Sequence, residues 1–182
     1  DMVPGSGALA AAVPGAVDSW LNLLEHHGTW ELADVLDFAI DYADNGHPIL
    51  ARTAGTIAKV SELFTEHWPT SVAQWMPEGR VPDAGELVFN HAYADVLRRL
   101  IAVGDGAATR EERIRAARQE WKSGFVARAI ADFNTTAHRH STGGDHAGVM
   151  TLKDISVFDA GFEDPVTIDF RGYQVAKIGA WG

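Results

Sequence analysis

The sequence predicts a mainly α chain with a terminal β-hairpin. Apolar residues recur at three- and four-residue spacing in five separate stretches, the signature of amphipathic helices. Proline and glycine fall where helices tolerate them: Pro14 in a first turn, Gly28 and Gly46 just past an end. Near the end of the chain, the stretch Pro165-Val166-Thr167-Ile168-Asp169-Phe170 and the run from Tyr173 to Ile178 alternate on either side of Arg171-Gly172. That is the pattern of two strands joined by a tight turn.

Leu9 to Val13 is a short run of small apolar residues that alone fits loop or strand, a buried strand being the expectation. A first helix opens at Val13-Pro14-Gly15-Ala16-Val17 and closes at Gly28, with Val17, Trp20, Leu21 and Leu24 inward and Asp18, Asn22 and Glu25 on other faces. The second runs from Trp30 to Asn45-Gly46 with one apolar stripe, Leu32, Val35, Leu36, Ala39, Ile40 and Ala43. A third covers 50–64, with Ile57, Val60, Leu63 and Phe64 inward. A loop dense in proline and tryptophan follows, from His67-Trp68-Pro69 through Trp75-Met76-Pro77 to Val81-Pro82. The fourth helix spans 92–103 and faces inward through Tyr93, Val96, Leu97, Leu100 and Ile101, ending at Gly104. The fifth is long, from Thr109 to about Phe133, with Ile114, Ala117, Trp121, Val126 and Ile130 inward. Residues 134–148 read as polar and flexible. Thr151 is placed to cap a short helix whose first turn holds Asp154. The chain is thus expected to be a single segment, residues 1–182, helical over 13–157 and a hairpin over 165–178, with no internal repeat. Its six tryptophans are expected to be buried.

At 182 residues with 46% hydrophobic and 22% charged content, the composition is that of a globular chain with a substantial core. A net charge of −10 argues against nucleic acid or an anionic membrane as partner. With no cysteine, disulfides and thiolate metal sites are excluded. The compartment stays open, the cytoplasm being the default expectation for a soluble chain. No apolar stretch is long enough to cross a bilayer. The start, Asp1-Met2-Val3-Pro4-Gly5-Ser6-Gly7, lacks the basic head of a signal peptide, and both it and Ile178-Gly179-Ala180-Trp181-Gly182 read as cut ends, so a fragment of a longer protein is expected.

Several residue groups invite a sharper reading. Asp34, Asp37, Asp41 and Asp44 share one side of the second helix, but a rigid helix spreads carboxylates too far apart for calcium, and a solvated face is expected. His138, His140 and His146 with Asp145 have the donors for zinc, yet a mobile loop lacks the frame that holds them together. His26 and His27 suit the C-terminal end of a helix. Arg110, Arg113, Arg115, Arg118, Lys122 and Arg128 are interspersed with Glu111, Glu112 and Glu120, which predicts intrahelical pairs on a solvated face. Among nucleophiles, Thr135, Thr136, Ser141 and Thr142 lie near His138 and His140 without a companion acid or oxyanion loop. Ser6 lacks the strand–turn–helix setting of a nucleophile elbow, and Thr151 reads as a cap. No catalytic, substrate-binding or metal site is expected within these residues, and no cofactor.

Five segments, in order, resemble the middle part of the large subunit of the gamma-glutamyltranspeptidases. They are Ala12-Val13-Pro14-Gly15-Ala16-Val17; Leu32 through Val35-Leu36, Ala39-Ile40 and Tyr42-Ala43 to Gly46-His47-Pro48; the stretch 94–104; Gly148-Val149-Met150-Thr151-Leu152-Lys153-Asp154; and Pro165-Val166 with Phe170-Arg171-Gly172-Tyr173-Gln174-Val175. The resemblance implies a helical subdomain of an αββα N-terminal-nucleophile hydrolase fold. It also implies an enzyme that moves the γ-glutamyl group of glutathione or a related amide to water or an amino acid. Its nucleophile would be a threonine exposed by self-cleavage, lying downstream of Gly182, and the arginine clamping the glutamyl carboxylate would lie upstream of Asp1. The expected partners are then the remainder of the chain's own polypeptide and, for the parent, a glutathione-like small molecule. An independent, acidic, non-catalytic helical interaction module is the alternative.

Overall fold

The computed structural model describes residues 5–179. Of the two ends read as cut, residues 1–4 and 180–182, Trp181 among them, lie outside this range. After a 3-10 turn at Ala8–Ala10 come α1 (Gly15–His27), α2 (Leu32–Asn45), β1 (His47–Pro48), α3 (Ala51–His67), α4 (Pro69–Trp75), β2 (Leu87–Val88) and α5 (His91–Ala102). Then follow α6 (Arg110–Ser123), α7 (Phe125–Asn134), β3 (His138–Arg139), β4 (Asp145–His146), α8 (Leu152–Val157), β5 (Val166–Phe170) and β6 (Tyr173–Lys177). The expected mainly α chain with a terminal hairpin is what forms.

Two apolar clusters hold the helices. Leu21, Leu32, Leu100, Ile114, Ala117 and Val126 bring α1, α2, α5, α6 and α7 together, with Ile114 and Ala117 fully shielded from solvent. Ile49, Ala54, Ile57, Met76 and Val88 form the second, around α3 and α4, with Phe64, Val72, Trp75 and Val81 against it. The stretch rich in proline and tryptophan supplies much of that second core. It is not loop throughout: Pro69 stands at the first position of α4, where its missing N–H costs nothing. An antiparallel clasp, His47 opposite Val88 and Pro48 opposite Leu87, closes over the cluster and has no counterpart in the sequence reading.

Other expectations need correction. Leu9 to Val13 forms no strand; Leu9 and Val13 are half-buried and the alanines at 10–12 exposed, with no neighbouring ladder to pair with. The long fifth helix breaks at Gly124 into α6 and α7. Residues 134–148 are polar but ordered by pairing, His138 opposite His146 and Arg139 opposite Asp145, with Asn134 and His140 buried. Val35 and Tyr93, expected inward, are exposed, and Ala94 takes the inward place on α5. Among the described tryptophans, Trp20 and Trp30 are exposed, while Trp68, Trp75 and Trp121 are half-buried.

The largest reversal is in α1. Trp20 is 64% exposed, whereas Asp18, Asn22 and Glu25 are buried at 1%, 6% and 7%. The inward face of this helix is partly polar because α6 presents arginines to it.

The hairpin follows the expected register, Ile168 opposite Val175 and Phe170 opposite Tyr173. Arg171 and Gly172 both hold positive φ, 50° and 84°, as a two-residue turn matching strand twist requires. Every residue of β5 and β6 is exposed. Val166, Ile168, Phe170, Tyr173 and Val175 therefore form an apolar face that no described element covers.

Candidate functional site

Polar chemistry concentrates in the seam between α1 and α6. The Asp18 carboxylate accepts hydrogen bonds from Arg118 Nε at 2.6 Å, Arg118 Nη2 at 3.1 Å and the Ala160 backbone N–H at 2.8 Å. Arg118 also donates to Asn22 Oδ1 at 3.0 Å, and Asn22 Nδ2 donates to the Ala160 carbonyl at 2.6 Å. Arg118 and Lys122 both reach Asp159, at 2.7 and 3.0 Å. Farther along, Arg115 holds Glu25 at 2.7 Å, Arg113 holds Glu31 at 2.6 Å, and Arg110 donates to the carbonyls of Leu24, Glu25 and Trp30 where α1 ends.

Most of these arginines therefore bridge to α1 and its flanks rather than pairing along their own helix. The pair within α6 is Arg110 with Glu111 at 2.9 Å, adjacent residues and not the three- or four-residue spacing expected. Glu112 closes a capping box with Thr109, and Glu120 accepts from the Phe125 N–H. Burial pushes the Asp18 carboxyl toward a higher pKa, but the Arg118 hydrogen bond, the Ala160 N–H and the charges of Arg118 and Lys122 outweigh it, so its pKa lies below the ordinary 3.8. The Asp18 hydrogen bond in turn raises Arg118. Neither group trades protons near neutrality, so the seam is an ionic clamp and not an acid–base pair.

The histidines lie elsewhere. His138 and His146 face each other across β3–β4, and the rings of His140 and His146 stand edge-on at 5.4 Å. His140 Nδ1 lies 2.8 Å from Thr142 Oγ1 and accepts the Thr142 N–H, while its buried Nε2 has no partner. Thr142 and His140 thus meet, but among the described residues no carboxylate is hydrogen-bonded to the ring. Among the described residues no group of three His, Asp or Glu side chains is arranged to hold a metal ion. Beside this hairpin lies a cavity of about 610 Å³, walled by Trp68, Ile130, Phe133, His138 and Met150. Thr70 and Ser71 also line it, and neither side chain is bonded to the His138 ring.

The remaining candidates have structural places. Thr151 caps α8 in a capping box with Asp154, whose carboxyl is held low by the Thr151 hydroxyl. Ser141 Oγ accepts the Gly5 N–H at 3.2 Å, and Thr135 Oγ1 donates to the Asp132 carbonyl at 2.7 Å. Ser6 precedes a 3-10 turn, not a helix; Gly7 has φ 83°, and a Cβ there would lie 2.9 Å from the Arg139 carbonyl oxygen. Asp34 closes a capping box with Glu31, Asp41 accepts from Asn45, and Asp44 pairs with Arg98, so the α2 aspartates act singly. His26 and His27 do lie in the last turn of α1, but their rings also pack against Phe162. The residues that sequence reasoning missed are Asp18 and Asn22. Their signal was the complementary stripe Arg115, Arg118 and Lys122, spaced to face Asp18, Asn22 and Glu25.

Comparison with known proteins gives a consistent picture. The sequence model of the gamma-glutamyltranspeptidase family matches residues 1–182. The chain is 31% identical over 166 residues to the glutathione hydrolase-like YwrD proenzyme of Bacillus subtilis (strain 168), covering 91% of this chain and 27% of that protein. It is 26% identical over 170 residues to the acylase ACY 1 proenzyme of Pseudomonas sp. (strain V22), covering 93% of this chain and 26% of that protein. The chain thus spans about a quarter of the length of these relatives. Among solved structures, that of LmbA2991T421A matches with a TM-score of 0.94 and 42% identity, over 100% of this chain and 31% of the other. The gamma-glutamyltranspeptidase of Helicobacter pylori matches with a TM-score of 0.74 and 23% identity, over 97% of this chain and 44% of the other, a likeness of fold. No helix among the described residues is long and apolar enough to cross a membrane.

Proposed function

Because the chain belongs to the gamma-glutamyltranspeptidase family, we propose that it is a helical part of the large subunit of a γ-glutamyl-transferring enzyme whose reacting groups lie outside it. The observation that carries this reading is a family match running through all 182 residues of a chain about a quarter as long as its curated relatives. In the parent, an N-terminal threonine hydroxyl attacks the γ-carbonyl of glutathione or a related amide, its own amine taking the proton. Backbone donors stabilise the oxyanion, the amine departs with a proton, and water or an amino acid releases the glutamyl group from the ester. This chain contributes no group to those steps.

Its part is scaffolding within the layered αββα enzyme. The helices supply two cores of their own, and the hairpin offers an apolar face suited to the remainder of the same polypeptide. The names of the curated relatives, glutathione hydrolase and acylase proenzymes, support a parent acting on amide bonds and matured from a precursor. The test is hydrolysis of γ-glutamyl-p-nitroanilide by the segment and by its full-length parent, side by side. Activity in the parent with none in the segment is expected. Turnover by the segment itself overturns the placement of the reacting groups. A silent parent that never cleaves itself favours the interaction-module reading.

A further inference from the structure

Beyond α8 the chain does not leave the helical body at once. Residues 158–162 run along α1 from its first turn to its last. The Phe158 ring lies over Gly15, where an added Cβ would come within 2.5 Å of it. Both backbone groups of Ala160 are taken by α1 side chains, its N–H by Asp18 at 2.8 Å and its carbonyl by Asn22 at 2.6 Å. Phe162 stands edge-on to His26 and His27, at 5.5 and 5.2 Å. Gly15, Asp18, Asn22 and His26 are one stripe of α1, at steps of three and four residues, and the segment follows it position by position. From the other side, Arg118 and Lys122 of α6 grip Asp159.

Only residues 163–165 separate this segment from β5, and both strands of the hairpin are exposed along their whole length. So short a link reaches at most roughly 10–13 Å. We propose that residues 158–162 are a strap that sets where the β5–β6 hairpin stands relative to the helical body, with Asp18, Asn22 and Arg118 as its positioning residues. Two buried polar side chains of α1 bind the strap backbone, where apolar residues would suffice if only helix packing were served. The hairpin then presents its apolar face in a defined direction before anything covers it.

The chain has no cysteine, so spin labels attach only where cysteines are introduced. Thr167→Cys on the hairpin and Asp37→Cys on α2 are both exposed sites outside the strap. The readout is the width of the label-to-label distance distribution. With the strap intact, a single narrow distribution is expected. Combining Asp159→Asn with Phe162→Ala, both exposed positions outside the two cores, is expected to broaden it at least about twofold without lowering the melting temperature of the helices. Asn22→Ala provides an independent second disruption, and Asp159→Glu, which keeps the carboxylate, retains the narrow spread. A width unchanged by both disruptions, or already broad with the strap intact, overturns the proposal. The measurement needs no enzymatic activity, so it is decided apart from the γ-glutamyl-transfer reading.

Discussion

Removing the Asp18 carboxylate leaves the Arg118 guanidinium between α1 and α6 without its two-pronged partner. The side chains of Asp18 and Arg118 are 2% and 16% exposed, so water cannot replace what is lost. Asp159 and Asn22 stay on the guanidinium, so Asp18→Asn is expected to cost about 1.5–3 kcal/mol, read from the urea unfolding midpoint. Arg115→Ala acts on a half-open pair: its own side chain is 61% exposed, but the Glu25 side chain it leaves unpaired is only 6% exposed, and a loss of about 1–3 kcal/mol is expected. The pH dependence has a definite sign. The folded-state pKa of Asp18 lies below the ordinary 3.8, so its contribution is complete above that value and drains away as pH falls through the folded pKa. Asp18→Asn should accordingly flatten the loss of stability as pH falls below the ordinary 3.8. A variant as acid-sensitive as the unsubstituted chain would falsify the clamp. At this scale, legibility follows sequence distance. Thr151 was readable as a cap because its partner Asp154 is three residues on. The bond between Asp18 and Arg118 spans 100 residues, and only the matching of two polar stripes announced it.

Among the elements, the break at Gly124 shows what periodicity alone misses. Apolar residues recur at helical spacing from Ile114 to Ile130, and the sequence reads as one helix. The chain instead ends α6 and restarts at once, because the Glu120 carboxylate turns to accept the Phe125 N–H at 3.0 Å and caps the second helix from within the first. Gly124 makes room for this: a Cβ there would collide with the Glu120 carboxylate and would lie 2.7 Å from the Glu120 Cα. Gly124→Ala must displace the cap and shift the Glu120 backbone, and a loss of about 2 kcal/mol or more is expected in thermal or urea unfolding. Combining it with Glu120→Ala should add little further loss, since the two act on one bond. The clasp of β1 on β2 was equally silent, since two residues per strand carry no alternation to read. By contrast, α2 and β5–β6 were legible nearly to the residue: a stripe with a glycine stop, and alternation about a tight turn, are local signals.

For the whole molecule, the two cores explain why this chain holds together while leaving large apolar side chains in water. Helix packing buries Leu100, Ile114 and Ile57 but does not reach the hairpin, whose apolar face, with Trp20, Trp30 and Phe38 on α1, the α1–α2 link and α2, stays uncovered. Sequence patterning shows which side chains prefer burial but not which element buries them, and here none of the described elements does. An exposed face of this kind binds apolar dyes and promotes self-association. Ile168→Thr with Val175→Thr removes a directly paired apolar couple while keeping β-branched residues suited to strands. In the isolated chain this pair of changes should roughly halve the fluorescence of a bound apolar dye and leave helix melting untouched, because no packed contact is broken. In the full-length parent the opposite is expected. There the face is proposed to be covered by the rest of the polypeptide, so the parent binds little dye to begin with, and burying two hydroxyls should cost about 2 kcal/mol or more. Stability lost in the parent but not in the segment would mark the hairpin face as an internal surface of the larger enzyme; equal behaviour in both would mean that the remainder of the chain packs elsewhere.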